Sequence, residues 1–445
     1  MEKQTYHFIG ICGASMSALA IWLKKSGHNV QGSDICLGEN SKQLENYGIK
    51  VFCGHSPNNL NGCDIVVYSS AIKNNVELKY AQQQNILVLT RAQLLNMIAK
   101  HYQNVIAVSG AHGKTTTTAL IYNCLKMANQ NPTLHLGGII KGETSGMIVG
   151  GKKYFVTEAC EYCNNFLSLT PNIGVVLNIE KEHLDFFKTY KNIKTSFQKF
   201  QNNCKIVVCE SKTNYSKNNN TITFGSKNSD FYAKNIKCHS NGCYGFDCYK
   251  QKQFYHHFDL AVVGKHNVKN ALAVVAVCDK LGLEKQHIYQ GLSKFQGIKR
   301  RYENLGNKNV FLVHDYAHHP TEIKKAIEIT KKITNKPVLV VFQPHTYSRT
   351  KTLINQFKSV FCGLDDVIVL KTYSAREKYD KQGSAKTLYE NIKSANKHSK
   401  YCANFDVCQT YIQNKIKDGY AVVMLGAGNI NEMAENLSKY VDKCF

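Results

Sequence analysis

Val105-Ile-Ala-Val-Ser-Gly-Ala-His-Gly-Lys-Thr-Thr-Thr-Thr118 runs an apolar strand into a glycine-bearing loop that ends in Lys-Thr and opens a helix. This pattern is a phosphate cradle. Gly110 and Gly113 let backbone N–H groups approach phosphate oxygens, Lys114 adds a point charge, and Thr115 offers a hydroxyl to Mg2+. The helix N-terminus contributes its dipole, so the expected ligand is ATP or GTP. The consensus phosphate loop places a further glycine where this chain has Val108, which leaves the shortened loop Gly110-Ala-His-Gly-Lys-Thr115.

Upstream of the loop, to about residue 103, the pattern alternates strand and helix. A strand at Tyr6–Ile9 leads through Gly10-Ile-Cys-Gly-Ala-Ser15 into a helix over 16–25, and a strand at 29–31 precedes Gly32-Ser-Asp34. An acidic residue about twenty positions past a glycine turn is where a dinucleotide fold holds a ribose, although the glycine fingerprint is incomplete here. Two more strands, 64–68 and 86–89, end at Ser69-Ser70-Ala71 and just before Arg91. Loops at strand C-termini are where such sheets bind ligands.

From 104 to 296 the phosphate loop starts a second α/β unit. Strand 154–157 ends in Glu158, and strand 173–177 is followed by Asn178, Glu182, His183 and Asp185. If both run parallel to Val105–Val108, then Thr115, Glu158 and His183 emerge at the sheet edge that holds the phosphates. Glu158 and His183 are then expected as direct or water-mediated Mg2+ ligands. Residues 210–257 read as a β-rich excursion without evident chemistry. A helix is expected over 271–281, with Asn267 and Asn270 at its mouth to read an adenine edge, to cap the helix, or both.

Residues 297–445 form a third α/β unit. Strand 310–313 ends at His314-Asp315-Tyr316-Ala-His318-His319-Pro320, strand 337–342 at Gln343-Pro-His345-Thr-Tyr-Ser-Arg349, and strand 367–370 at Lys371-Thr-Tyr-Ser-Ala-Arg376. Strand 421–425 ends at Gly426-Ala-Gly-Asn429. The His318-His319 pair has no carboxylate or Cys at metal spacing beside it, which argues against zinc.

Composition bounds the partners. At 445 residues the chain is too long for one core. Its start has no basic segment leading into an apolar one, and no apolar run is long enough to span a bilayer, so the protein is expected to be soluble and cytoplasmic, with no membrane partner. Seventeen Cys, several in apolar runs, fit a reducing compartment, and Cys160-Glu-Tyr-Cys163 has no matching second pair for a zinc site. The net charge of +24 would ordinarily suggest nucleic acid, but Lys is dispersed among Asn along the whole chain, so no nucleic-acid partner is expected. Only Arg91, Arg300, Arg301, Arg349 and Arg376 are arginines. Several of these five should touch ligand, because Lys cannot replace a bidentate guanidinium.

Taken together, the chain resembles the Mur ligase family end to end. The matching pieces are Gly13-Ala-Ser-Met-Ser17 with Gly32-Ser-Asp34, Ser69-Ser-Ala-Ile72, the phosphate loop, Glu158-Ala-Cys-Glu161, Asn178-Ile-Glu-Lys-Glu-His183, Gly264-Lys-His-Asn267, Asp315-Tyr-Ala-His-His-Pro320 and Phe342-Gln-Pro-His345. The resemblance implies a three-domain α/β architecture: a Rossmann-like N-terminal domain for a UDP-sugar, a central ATP-binding P-loop domain, and a Rossmann-like C-terminal domain for the amino acid and part of ATP. It also implies an ATP- and Mg2+-dependent amide-forming ligation of L-alanine to UDP-N-acetylmuramate in peptidoglycan synthesis. An alternative within the family joins a whole murein peptide to the same nucleotide sugar.

The resemblance further implies residue roles. Gly110, His112, Gly113, Lys114, Thr115 and Thr116 hold the ATP phosphates, with Mg2+ on Thr115, Glu158 and His183. Asn267 and Asn270 lie at adenine, Asp315 at the ribose and Arg301 near the phosphates. Gly13, Ser15, Asp34, Ser69, Ser70 and Arg91 face the nucleotide sugar. His345, Arg349 and Tyr316 belong near the alanine, with Arg349 holding its carboxylate. This chain departs from the family pattern at Thr346, where many relatives have Arg, and at Cys12 and Ser15, where the pattern prefers Gly. Some family members carry a carbamylated lysine beyond the metal-site His, and Lys194 lies in roughly that region.

Overall fold

A computed structural model describes residues 2–445 except Cys36, Ser70, Ala71, Lys73, 216–219 and Arg376, and except the side chain of Asp185. Ser70 and Arg376, both expected near ligand, therefore lie outside the described residues. The chain divides into two compact units, one of residues 1–238 and 244–296, the other of 239–243 and 297–445.

The first unit holds two sheets. Strands β1 (Thr5–Ile9), β2 (Asn29–Asp34), β3 (Lys50–Cys53), β4 (Ile65–Tyr68) and β5 (Leu87–Thr90) form a sheet in the order β3-β2-β1-β4-β5. All four pairings are parallel. The strand expected over 29–31 runs on through Asp34, because Ile9 pairs with Ser33 and Asp34 with Cys53. Gly32 is thus a mid-strand glycine, and a Cβ there would lie 2.5 Å from Phe8 O and 2.6 Å from Ile11 Cδ1. Its missing side chain lets the Gly10–Ile11 turn close over the sheet, where both N–H groups donate to Ser33 O. The helix Ala14–Lys25 follows, its residues 16–23 buried.

The central sheet comprises β6 (Asn104–Ser109), β7 (Thr133–His135), β8 (Met147–Ile148), β9 (Tyr154–Glu158), β10 (Ile173–Val176), β11 (Ile206–Glu210), β12 (Thr221–Phe224), β13 (Phe231–Cys238), β14 (Cys243–Lys250) and β15 (Gln253–Val263). Among the described residues its order is β15-β14-β13-β12-β11-β10-β6-β9-β7-β8. β9 and β10 flank β6 and run parallel to it, with Val108 opposite Glu158 and Ser109 opposite Val176. The C-termini of these strands, and the segments that follow them, therefore share one edge. The strands are apolar and buried on both faces, as parallel strands covered by helices should be.

Helix His266–Lys280 begins five residues before the expected start, which places Asn267 and Asn270 inside its first turns. Its N-cap, Lys265, makes no side-chain capping bond, so the boundary carries no polar signature in the sequence.

In the second unit β16 (Glu303–Asn304), β17 (Leu312–Asp315), β18 (Val338–Phe342), β19 (Asp366–Leu370), β20 (Ser399–Cys402) and β21 (Ala421–Leu425) form a sheet ordered β16-β17-β21-β18-β19-β20. Among the described residues only its β16–β17 pairing is antiparallel. The strand expected at 310–313 is displaced to Leu312–Asp315, because Val310 belongs to the turn whose carbonyl accepts the Asn307 N–H. Among the described residues no helix is long and apolar enough to cross a membrane.

Candidate active site

β6 ends at Ser109 and the chain turns through Gly110, at φ 141°, and Gly113, at φ 86°, before helix Lys114–Met127. Both angles fall where a Cβ is disfavoured. At Gly113 an added Cβ would also meet Asn270 Oδ1 at 2.7 Å. Asn178 braces the loop from the neighbouring strand end: its side chain accepts from His112 N at 2.8 Å and donates to His112 O at 2.9 Å, and its carbonyl accepts from Ala111 N at 3.2 Å. These bonds fix the loop ahead of a helix whose N-cap, Gly113, makes no side-chain capping bond, the arrangement that binds phosphate. Thr115 and Thr116 follow Lys114 in the first turn and are half-buried.

Lys114 Nζ donates to Gly110 O at 2.5 Å and Ala111 O at 3.2 Å, and lies 3.1 Å from each carboxylate oxygen of Glu161. Burial disfavours its charge, but Glu161, supported by Cys160 and Glu158, outweighs that and raises its pKa above the ordinary lysine value. The cation is therefore fixed at the mouth of the loop.

Glu161, Glu182 and His183 place one ligand atom each within 4.8 Å of one another. Two carboxylates and an imidazole are a donor set suited to a small divalent cation. Of the two ligands expected at and beyond the ends of β9 and β10, His183 joins this group and Glu158, the last residue of β9, does not. Glu158 accepts the Gly137 N–H at 2.9 Å instead. The chain beyond β9 makes a tight turn with Cys163 and Asn164 in left-handed conformation (φ 53° and 56°), and Asn164 N donates to Glu161 O. Glu161, 4% exposed at its side chain, faces His183 Nε2 at 3.7 Å. His112 Nε2 adds a link at 3.4 Å to Glu182. Sequence reasoning left Glu161, Glu182 and Asn178 without individual roles, although all three stood in the quoted family motifs.

Asn267 and Asn270 are buried and linked, with Asn270 Nδ2 donating to Asn267 Oδ1 at 2.8 Å and Asn267 Nδ2 to Val263 O at 2.8 Å. Asn270 stands behind Gly113, so one of the two residues expected at adenine also shapes the phosphate loop.

On the N-terminal sheet Gly13 caps the helix Ala14–Lys25 without a side-chain bond. Asp34 Oδ2 accepts the Cys12 N–H at 3.0 Å. Ser69 O accepts the Ile72 N–H at 2.9 Å. Ser15 and Arg91 meet, with Arg91 Nη1 donating to Ser15 Oγ at 3.2 Å.

In the second unit the strand ends gather the remaining candidates. The Asp315 carboxylate accepts Tyr302 N at 2.6 Å and Ala317 N at 2.7 Å. Burial pushes its pKa up to about 6, against the opposing pull of Arg301 and these N–H groups. Arg300 and Arg301 lie over the Tyr316 ring, 4.9 and 5.1 Å from its centroid. Arg349 Nη1 lies 3.1 Å from His345 Nδ1. An arginine can only donate, so His345 accepts at Nδ1 and carries its proton on Nε2. Burial, then Arg349, holds His345 down at about 4. Thr346, at φ 66°, donates its N–H to Tyr373 O at 2.9 Å, a backbone contact that any residue other than proline could make.

Three α/β sheets, the central one carrying a glycine phosphate loop whose lysine is paired to a carboxylate–imidazole cluster, define a phosphate-loop enzyme. The chain belongs to the Mur ligase family, whose models match residues 5–103 (Mur ligase family, catalytic domain), 108–278 (Mur ligase middle domain) and 300–428 (Mur ligase, glutamate ligase domain). It is 42% identical over 447 residues to the UDP-N-acetylmuramate--L-alanine ligase of Caldicellulosiruptor bescii, covering 98% of both chains. The enzyme of the same name from Clostridium acetobutylicum is 38% identical, with 96% of each covered. A crystal structure of UDP-N-acetylmuramate-alanine ligase MurC from Thermotoga maritima matches with a TM-score of 0.86 at 26% identity, covering 99% of this chain and 100% of that one. A murein peptide ligase from Psychrobacter arcticus shares the fold, with a TM-score of 0.71 at 23% identity.

Proposed function

We propose that this protein is an ATP-dependent ligase that joins L-alanine to the lactyl carboxylate of UDP-N-acetylmuramate, an amide-forming step in peptidoglycan precursor synthesis. Full-length similarity to ligases of that name supports the substrates. The observation that carries the chemistry is the Lys114 ammonium, held by Gly110 O and Glu161 where the loop meets the acidic cluster.

The reaction balances in two steps. A lactyl carboxylate oxygen attacks the γ-phosphorus of ATP and ADP leaves, giving an acyl phosphate. The amine of L-alanine then attacks the acyl carbon, loses a proton, and the tetrahedral intermediate expels inorganic phosphate. Phosphoryl transfer asks the protein mainly for positioning and charge neutralisation. Gly110, Gly113 and the N–H groups of the Lys114 turn bind phosphate oxygens, and Lys114 offsets the charge on the transferring group. Glu161, Glu182 and His183, with the Thr115 hydroxyl, would hold Mg2+. When bound, that ion screens phosphate charge and orients the γ-phosphoryl group. Arg349, oriented by His345, offers a planar guanidinium for the alanine carboxylate.

Phosphate release from ATP tests the assignment. The purified protein with Mg2+ and UDP-N-acetylmuramate is expected to release phosphate with L-alanine and to lose this in Lys114→Ala. Turnover confined to an L-alanine-containing tripeptide would instead make it a murein peptide ligase.

A further inference from the structure

Ser15 opens a hydrogen-bonded chain that leaves the N-terminal sheet and ends on β9. Arg91 Nη1 donates to Ser15 Oγ at 3.2 Å, Ser15 Oγ lies 2.9 Å from His135 Nε2, His135 Nδ1 lies 2.9 Å from Thr157 Oγ1, and Thr157 Oγ1 donates to Glu158 O at 3.1 Å. His135 is 2% exposed and Thr157 fully buried.

The direction of the chain follows from its ends. Arg91 can only donate and the Glu158 carbonyl can only accept. Burial, reinforced by the Arg91 charge, holds His135 down at about 3, so the ring is neutral and carries one N–H. With that proton on Nδ1, every hydroxyl has both a donor and an acceptor: Arg91 to Ser15, Ser15 to His135 Nε2, His135 Nδ1–H to Thr157, and Thr157 to Glu158 O. With the proton on Nε2, that N–H would turn to the Ser15 carbonyl, leaving the Ser15 hydroxyl with no acceptor in the chain and turning Thr157 away from Glu158 O. Links that all point one way polarise one another, and a buried network is most secure when fully satisfied.

We propose that His135 is a positioning residue that locks the nucleotide-sugar loop, through Ser15, to β9, the strand that leads to Glu161. This rests on the proposed substrate. It assigns Ser15 a partner on β7 in place of direct contact between its hydroxyl and the sugar nucleotide, and it explains how this chain accommodates a hydroxyl where the family pattern prefers Gly. The helix N-terminus keeps its backbone donors for the ligand while the side chain faces away to His135.

Two measurements test it. Nitrogen-15 spectra of histidine-labelled protein, with the ring assigned through His135→Asn, are expected to show His135 as the Nδ1–H tautomer at neutral pH; an Nε2–H tautomer would overturn the chain. Calorimetric binding of UDP-N-acetylmuramate to Ser15→Ala, Thr157→Val and the double variant is the second. Each single change is expected to weaken binding roughly three- to tenfold, the size of one hydrogen bond. The double variant is expected to be no worse than the weaker single one, because both changes break the same chain. Effects that multiply, or single variants that bind like the parent, would overturn the proposal. The KM for L-alanine should not move with these variants, whereas a general loss of structure would move both. An Nδ1–H ring in a protein that does not bind the sugar nucleotide would overturn the substrate assignment and, with it, the coupling.

Discussion

Lys114 Nζ lies 3.1 Å from both carboxylate oxygens of Glu161, with only 17% and 4% of the two side chains exposed. The pair forms a largely buried clamp beneath the phosphate loop. Lys114→Met would leave the buried Glu161 carboxylate without its ammonium partner and only beside the His183 ring at 3.7 Å, a loss of at most about 3–5 kcal/mol of stability. Phosphate release should fall by a factor of about 100 to 1,000 as well, the cost of losing one preorganised charge-stabilising group. Thermal melts and phosphate assays check both, and an unchanged melting temperature would show that the pair is open to solvent in solution.

Glu161→Gln and Glu158→Gln separate the two candidate carboxylates. The first removes a charge from the Glu161–Glu182–His183 group and is expected to raise the Mg2+ concentration for half-maximal activity on the order of tenfold or more. The second keeps an oxygen for the Gly137 N–H and should change the Mg2+ requirement less. The reverse ranking would return the metal to Glu158.

Gly113→Ala tests the cradle itself. The left-handed angle costs a non-glycine residue about 1–2 kcal/mol, and the new Cβ would press on Asn270 Oδ1. ATP affinity is therefore expected to drop together with the melting temperature. A variant that melts lower but binds ATP unchanged would show that Asn270 yields without disturbing the loop.

His314 is 2% exposed, its Nε2 has no hydrogen-bond partner among the described residues, and burial, then Arg300, brings its pKa down to about 3. An unfolded histidine titrates at about 6.5, so below that pH the unfolded chain takes up a proton that the native ring refuses. Its contribution to stability is full above about 6.5 and is lost as the pH falls toward 3. His314→Gln should flatten the melting temperature across the upper part of that window, roughly pH 4.5 to 6.5. An unchanged slope would place the acid sensitivity elsewhere, in His135, His318 or His345.

Arg349→Lys addresses the amino acid. The ammonium cannot reproduce a fork that binds a carboxylate through two N–H groups. The KM for L-alanine is expected to rise on the order of ten- to a hundredfold, while ATP and the sugar nucleotide bind as before. Equal effects on all three would make Arg349 structural.

What the sequence made legible was the strand ends. Apolar runs such as Val105–Val108 and Ala421–Leu425 state their burial outright, and the polar cluster after each marks the ligand edge of a parallel sheet. Gly32 and Asn267 misled for opposite reasons: a glycine inside a strand looks like a turn, and an asparagine inside a helix looks like a cap. Glu158 and Glu161 both follow one strand, and what separates them is long-range pairing, Glu158 with the Gly137 N–H and Glu161 with Lys114, which the motif alone does not state. Ser15 and His135 stand 120 positions apart, and no local pattern connects them.

Lys194 projects from the helix Tyr190–Asn202, its ammonium 4.7 Å from the Tyr190 ring and 5.6 Å from that of Tyr215. Aromatic faces attract a cation and repel an anion. A carbamate at this position would set a negative charge against both rings, so the enzyme is expected to run at the same rate in degassed buffer as in bicarbonate.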